Sequence, residues 1–465
     1  MPTLKFNRNI VISMKKSISL LTMMLLSVLA FAMVPPSAAH GYTINELWTN
    51  PMQVNDVAVS KDGNYVAAVN NTGLYFFGWD SPNPIWWYLS EAGDKLLSVA
   101  ISANGQYVIF GNSTNGSIFF FGDCMGRSGL QAANGYDWVS KQFTYYSPAG
   151  NNDVERRTID ISDNGEYVVV GGTGDQVYYF IDCTTKSGTG VNWDWQCYTY
   201  DLVHAVDMSP DGRYVVAGGP WPFSPTGAVT FFKDANLPGP HSPLWYNYTL
   251  GPIVDVAVSD DGYSVAAVSE LRGVPVTLYY WADASNLSGS TDISANWSRL
   301  HAFSSVDMSS DGDRVVAGYY ELNVASLHYW DNARTLSGDN VTETWVRVPD
   351  LSVLDVGISD DGSLIVAGTG RPDCALFYTN DGTLVGNFTL DSPGYIVSMA
   401  GSGESAAVGG AFADSLYFYR IITTNPVGGE VLASDGLMLL APYMALAVMV
   451  AGAVVTGVLL RRRMP

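Results

Sequence analysis

From Val206 to Gly219 the chain alternates apolar and other residues, breaks at Ser209-Pro210-Asp211-Gly212, and resumes as a second apolar run that stops on small residues. Two such runs on either side of an Asp-Gly step predict a β-hairpin. The same frame recurs at 60–63, 102–105, 162–165, 259–262, 309–312 and 359–362, with Asn104 and Asn164 replacing the aspartate twice. An eroded copy lies at 400–403. A period of this length is the signature of a propeller or solenoid.

One repeat supplies the rest of the unit. In the fifth, a strand A over 253–259 and a strand B over 264–269 flank the turn. An aromatic and β-branched strand C is predicted over 276–281 and a strand D over 296–301. Four strands in about 50 residues make a propeller blade. Strand C recurs at 74–77, 118–121, 177–181, 229–232, 327–330, 376–378 and 416–419, and strand D at Trp87, Trp138, Trp195, Trp245, Trp297 and Trp345. These tryptophans are read as spacers between blades. The wide gap between Gly105 and Gly165 is assigned to an enlarged C–D loop over 122–141. The eighth repeat lacks strand D, whereas residues 42–48, carrying Trp48, precede the first strand A and supply it. The fold class expected is therefore all-β. It is an eight-bladed β-propeller of four-stranded blades closed by the N-terminal strand, with one C-terminal transmembrane helix. A seven-bladed ring with one repeat left out is the alternative. Closure removes the sheet edges that invite aggregation.

The two ends add topology. Lys15-Lys16, an apolar run over 18–34 and a small-residue stretch to Ala39 predict a signal peptide over 1–39, with an uncleaved first helix as the alternative. Residues 437–460 are 24 in number and carry no charge, enough to cross a bilayer, and Arg461-Arg462-Arg463 follow. The positive-inside rule puts those arginines in the cytoplasm. The layout expected is thus a β-propeller ectodomain over 40–422, a linker over 423–436, a membrane helix over 437–460 and a cytoplasmic tail over 461–465. Localisation follows as a single-pass cell-membrane protein with its ectodomain outside.

Residues 40–436 hold all 44 acidic residues and 16 of the 23 basic ones, a formal charge of −28. Such a surface repels phosphates, which argues against nucleic acid as a partner. Sequons for N-glycosylation stand at Asn70, Asn112, Asn115, Asn247, Asn286, Asn296, Asn340 and Asn387. Of the three pairings open to Cys124, Cys183, Cys197 and Cys374, a Cys183–Cys197 disulfide is favoured as a tie between neighbouring strands. No Cys/His spacing suits zinc, and no nucleophile elbow or HExxH helix is present. The one pattern beyond packing lies on strand A. Counting back from the turn serine, positions one and three are apolar, while position two or four is Asp56, Asp160, Asp207, Asp255, Asp307 or Asp355. Two readings are open. These aspartates form an axial ring for Ca²⁺ or another hard cation, or each binds backbone amides of the adjacent blade and staples the ring.

The Ser-x-Asp-Gly hairpin and a strand C ending in Trp79-Asp80 or Trp330-Asp331 resemble the WD40-like repeat. YVTN and quinoprotein-like propellers are similar. The likeness covers residues 42–422, and the Gly-His dipeptide of WD40 blades proper is missing. The apolar span and arginine tail resemble the anchors of archaeal surface proteins. Together these imply a non-catalytic cell-surface binding or scaffold module for a protein, glycan or envelope partner. The alternative is an extracytoplasmic enzyme of quinoprotein-like oxidoreductase or hydrolase type.

Overall fold

The computed structural model describes residues 41–140, 158–172, 176–199, 202–220, 226–269, 277–289, 293–321, 324–349, 352–370, 375–391, 396–410 and 415–424. The expected signal peptide over 1–39, the expected linker beyond Thr424, the apolar span over 437–460, the tail over 461–465 and Cys374 lie outside them. Among the described residues no helix is long and apolar enough to cross a membrane. One compact unit spans Thr43–Ile422, and the flanking residues form a separate unit.

Within the compact unit the predicted hairpins form, and eight antiparallel sheets follow one another around an axis. In each blade strand A is innermost and strand D outermost. The first blade begins with Asp56–Val59 and the seventh ends with Leu384–Phe388. In the eighth, Gly41–Asn50 lies beside Leu416–Thr424 as the missing strand D. The ring has eight blades and is closed by its N-terminal strand, as the repeat arithmetic requires.

The turn that marks each repeat satisfies its own polar groups. In the fourth blade Ser209 Oγ donates to Asp211 Oδ1 at 2.7 Å and accepts from the Tyr214 N–H at 2.9 Å. Asp211 Oδ1 in turn accepts from the Arg213 N–H. Gly212 has φ +73°, and a Cβ there would strike Tyr167 and Tyr179 of the preceding blade. Glycine is needed for both reasons.

Aromatic side chains fill the spaces between blades. Strand-D tryptophans stack on strand-C rings, as Trp138 does on Phe120 and Phe180, and Trp297 on Tyr280. Each also donates its indole N–H across the junction. Trp86 bonds the Cys124 carbonyl, Trp138 that of Cys183, Trp195 that of Ala235, Trp245 that of Ala284 and Trp297 that of Ala333, at 2.7–2.9 Å. Trp345 reaches Asn380 and Trp48 reaches Trp79, the latter closing the ring. In the first blade the spacer is Trp86, which is fully buried, and not the adjacent Trp87. Alternation along the strand turns Trp87 to the other face.

Two further expectations are corrected. Strand D of the second blade begins at Trp138, so its C–D connection is ordinary in length. The extra residues of that repeat fall after Ser140, over 141–157. Cys183 and Cys197 form no disulfide, and both are free thiols. Cys183 is buried in the core between the second and third blades. Cys197 sits opposite Val177 on strand D and packs between the third and fourth. Cys183 lies past the end of that strand, in a turn over Cys183–Thr185, so the two thiols face different inter-blade cores.

Candidate functional site: the axis and its junctions

Strand A of every blade lines a central cavity of about 320 Å³, and all six aspartates face it. The side chains do one job. Asp56 accepts from the Val57 N–H and from the Val99 N–H of the next blade, at 3.0 and 2.9 Å. Asp160 joins Ile161 to Met208, Asp207 joins Met208 to Val258, and Asp255 joins Val256 to Val306. Asp307 and Asp355 repeat the pattern with Met308 and Ile358, and with Val356 and Val397. Each carboxylate thus spends one oxygen on its own strand and one on the neighbour. This is the stapling reading. Among the described residues no group of three or more His, Cys, Asp or Glu is arranged to hold a metal ion.

The alternation between positions two and four has a simple geometric meaning. An aspartate two residues before the turn serine takes the amide one residue before the serine in the next blade. An aspartate four before takes the amide three before. The staples therefore lie on two levels. Only the third and fourth blades carry aspartates on the same level side by side, and there Asp160 and Asp207 converge on one Met208 N–H. Burial pushes the Asp160 carboxyl up to about 7, with bonds from Ile161, Met208 and Asp207 opposing it. Burial and the nearby Asp160 likewise raise Asp207 well above the carboxylate range. Two carboxylates this close cannot both ionise cheaply, which favours the protonated form of one of them.

Residues that sequence reading passed over close the turn end of the axis. They occupy the variable x position of Ser-x-Asp-Gly. Lys61 of the first blade places Nζ 2.9 Å from Asp360, 3.6 Å from Asp163 and 3.7 Å from Asp260. Alternate blades thus converge on one ammonium. Burial alone would lower the Lys61 pKa, but the bond to Asp360 and the three carboxylate charges carry it above the lysine value. Burial raises Asp163 and Asp260 despite the pull of Lys61. Around them the turns bond to one another. The chain of N–H donors runs from Asp62 to Ala103, Ala103 to Asp163 and Asp163 to Pro210. It then runs from Asp260 to Ser310, Ser310 to Asp360, Asp360 to Gly401 and Ser402 to Lys61. The single gap is at Pro210, which has no N–H to give Asp260.

One polar network departs from the repeat. His328 stands where strands C of the first, second, third and fifth blades carry Tyr75, Phe119, Tyr178 and Tyr279. Its Nδ1 lies 2.7 Å from Glu343 Oε1 and its Nε2 2.7 Å from Ser326 Oγ. Arg299 of the fifth blade pairs with the same carboxylate at 2.8 Å. Burial raises the Glu343 pKa, but His328 and Arg299 outweigh it and hold the carboxyl below its ordinary value. The row has the order of a hydrolase triad. However, Ser326 is 6% exposed and His328 3%, wedged among Phe303, Trp330 and His301. The arrangement locks two blades together.

The sequons also divide. Asn70, Asn112 and Asn247 are buried, and Asn247 donates to the Ile293 carbonyl. None of the three has room for a glycan in the folded protein. Asn115, Asn286, Asn296, Asn340 and Asn387 are exposed.

Comparison with solved structures agrees with this geometry. The crystal structure of the C-terminal WD40 domain of Sif2 superposes with a TM-score of 0.58 at 13% identity, covering 81% of this chain and 98% of that one. The fold is a WD40-like β-propeller. The Dos1 propeller is similar at a TM-score of 0.59 and 11% identity, over 81% of this chain and 95% of that one. No family model matches the WD40-like chain, and no curated protein does. At these identities the likeness concerns the fold alone.

Proposed function

We propose that the protein is a non-catalytic propeller held at the cell surface by its C-terminal apolar span, presenting its rims to a protein or glycan partner. One observation carries the reading. The six aspartates that line the axis bond backbone amides across the blade junctions, and Lys61 pairs with Asp163, Asp260 and Asp360. That leaves the outer surfaces as the available ones. WD40-like neighbours make a binding scaffold the natural use of the fold, although fold alone assigns no function. The N-terminal leader pattern, the apolar span over 437–460 and the exposed sequons support the surface address.

The test is a tagged full chain expressed in its membrane and treated with an impermeant cross-linker. Partners cross-linked from outside, and sugar at some of Asn115, Asn286, Asn296, Asn340 and Asn387 with none at Asn70, Asn112 or Asn247, are expected. Visible cofactor absorbance in the purified chain, or cross-linking only from the cytoplasmic side, would overturn it. The hydrolase alternative has one arrangement in its favour, Ser326–His328–Glu343. Labelling by a fluorophosphonate that disappears in Ser326→Ala would establish it, and none is expected.

A further inference from the structure

Outermost strands leave backbone groups unpaired, and this propeller covers four of its eight in one way. The C–D connection of one blade reaches back and lies parallel along strand D of the blade before. Gly129–Leu130 pairs with Trp86 and Trp87, and Gly188–Thr189 with Trp138 and Val139. Gly289 and Gly338 form single parallel bridges to Trp245 and Trp297. Each of the four segments carries a Ser-Gly step, 128–129, 187–188, 288–289 and 337–338, preceded by Arg127, Lys186, Leu287 or Leu336. The bonds repeat. The glycine N–H donates to the carbonyl before the tryptophan, namely Ile85, Asp137, Leu244 and Asn296. In the fifth blade the Ser298 N–H after the tryptophan donates to Gly338, and the Ser298 carbonyl accepts from Val341. Leu287 and Leu336 pack against the aromatic clusters behind these edges.

Among the described residues the sixth blade has the same tryptophan-bearing edge and no such cover, and the third, at Trp195, likewise has no parallel partner. Its strand D is Trp345–Arg347. The seventh blade connects strands C and D through a tight turn at Asn380-Asp381-Gly382-Thr383. This turn grips Trp345 and Arg347 through the Asn380 and Gly382 carbonyls but is too short to run along the edge. By register with Asn296 and Ser298, the Thr344 carbonyl and the N–H and carbonyl of Val346 point outward. Val346 is 37% exposed and Val348 74%, and only the Arg347 side chain folds over the Val346 carbonyl.

We propose that this edge, Trp345 to Val348, is the docking site for an extended segment of a partner polypeptide. The segment adds in parallel as a short strand carrying a Leu-Ser-Gly step. The molecule itself shows a Ser-Gly clasp of this kind four times, twice with leucine before it. A leucine suits the position before Ser-Gly better than arginine or lysine, because Arg347 already supplies a cation there. Strand addition of this kind draws affinity from main-chain bonds and selectivity from alternate side-chain contacts. The site deepens the partner-binding reading, and its test is separable from it.

The probe is a synthetic peptide with the sequence of residues 333–341, carrying a photo-cross-linker and added to the full chain. Cross-links are expected at 344–348 and to fall about tenfold in Val346→Pro, which removes the N–H donor. Proline is tolerated on an edge whose N–H faces solvent, and an unchanged melting temperature will confirm that the variant folds. A peptide with Pro-Pro for Ser-Gly should not cross-link. Cross-links elsewhere, equal labelling of Val346→Pro, or none at millimolar peptide overturns the site. In the partner capture, recovery of one partner by both parent and Val346→Pro overturns the site while partner binding stands. Recovery by the parent alone supports both.

Discussion

The junction between the second and third blades and that between the sixth and seventh are built in opposite ways. At the former the staple positions hold Ser98 and Ala100, and the buried Ser98 hydroxyl finds no partner. At the latter two staples cross side by side. Asp307 takes the Ile358 N–H, while Ser305 donates to Asp355 and accepts from Val356. On the outer rim the roles reverse. The second blade has a two-residue parallel clasp on Trp138 and Val139, whereas among the described residues the sixth has none. Of these two junctions, the one without an aspartate staple is clasped at the rim and the doubly stapled one is not, whereas the first and second blades are joined at both radii by Asp56 and by Gly129–Leu130. Closure is thus shared between radii and does not rest on one repeated bond.

Removing an inner staple where no clasp exists gives the largest effect. Asp307→Ala strands the Met308 and Ile358 amides in a part-buried site on the axial cavity, at about 1–3 kcal/mol each. A loss of about 3 kcal/mol or more in denaturant unfolding is expected, against under 1 kcal/mol for Ser98→Ala. Equal losses would break the comparison.

The next effect is one of pH. Asp160 and Asp207 have folded pKa values above the unfolded carboxylate value, so the folded state holds the extra proton. Stability from this pair is present in acid and is lost as pH rises from about 4 through about 7. The slope reaches about 1.4 kcal/mol per pH unit for one proton. Asp160→Asn keeps an acceptor for the amide and offers its own N–H to Asp207. Its melting temperature should vary less between pH 5 and 8 than the parent's, and an unchanged profile would count against the extra proton.

Lys61→Met leaves Asp163, Asp260 and Asp360 facing one another. Because these side chains are a third or more exposed, solvent screens them and a loss of about 1 kcal/mol at pH 7 is expected. Asp163 and Asp260 already titrate high, and without the ammonium they rise further. The deficit should therefore shrink as pH falls and the carboxyls protonate in the folded state. Smallest is a gain. Ser98→Asp offers a carboxylate to the Ile159 N–H by the four-before rule and should add about 1 kcal/mol, provided the levels are as described. No gain, with Asp307→Ala behaving as expected, would confine that rule to the existing aspartates.

Blade count, turn chemistry and closure by residues 42–48 were legible because hairpins have a strict period of two and a glycine at positive φ. The aspartate staples were legible as one of two readings, since the alternation that weakened the ion ring is what two levels of bonding require. Other features left no periodic trace. A two-residue parallel clasp has no hydrophobic pattern, and only the recurring Ser-Gly after strand C would have disclosed it. Trp86 and Trp87 are identical neighbours, and only the exact register decides which faces inward. Lys61, Asp163, Asp260 and Asp360 sit at a position that tolerates any residue within its own turn. They become a cluster only when eight turns are brought around one axis.

Pro210 gives the circle of turns a direction. A loop with one link missing is, topologically, a line, here with its ends at the fourth and fifth blades. The covalent break lies in the eighth blade, across the ring. Two seams set opposite each other divide the circle into halves of four blades, each internally continuous at the turn face. A cyclic protein with such a pair of seams has two natural places to carry chain ends, and a permuted chain opened between Pro210 and Asp260 would inherit the one that already lacks a bond.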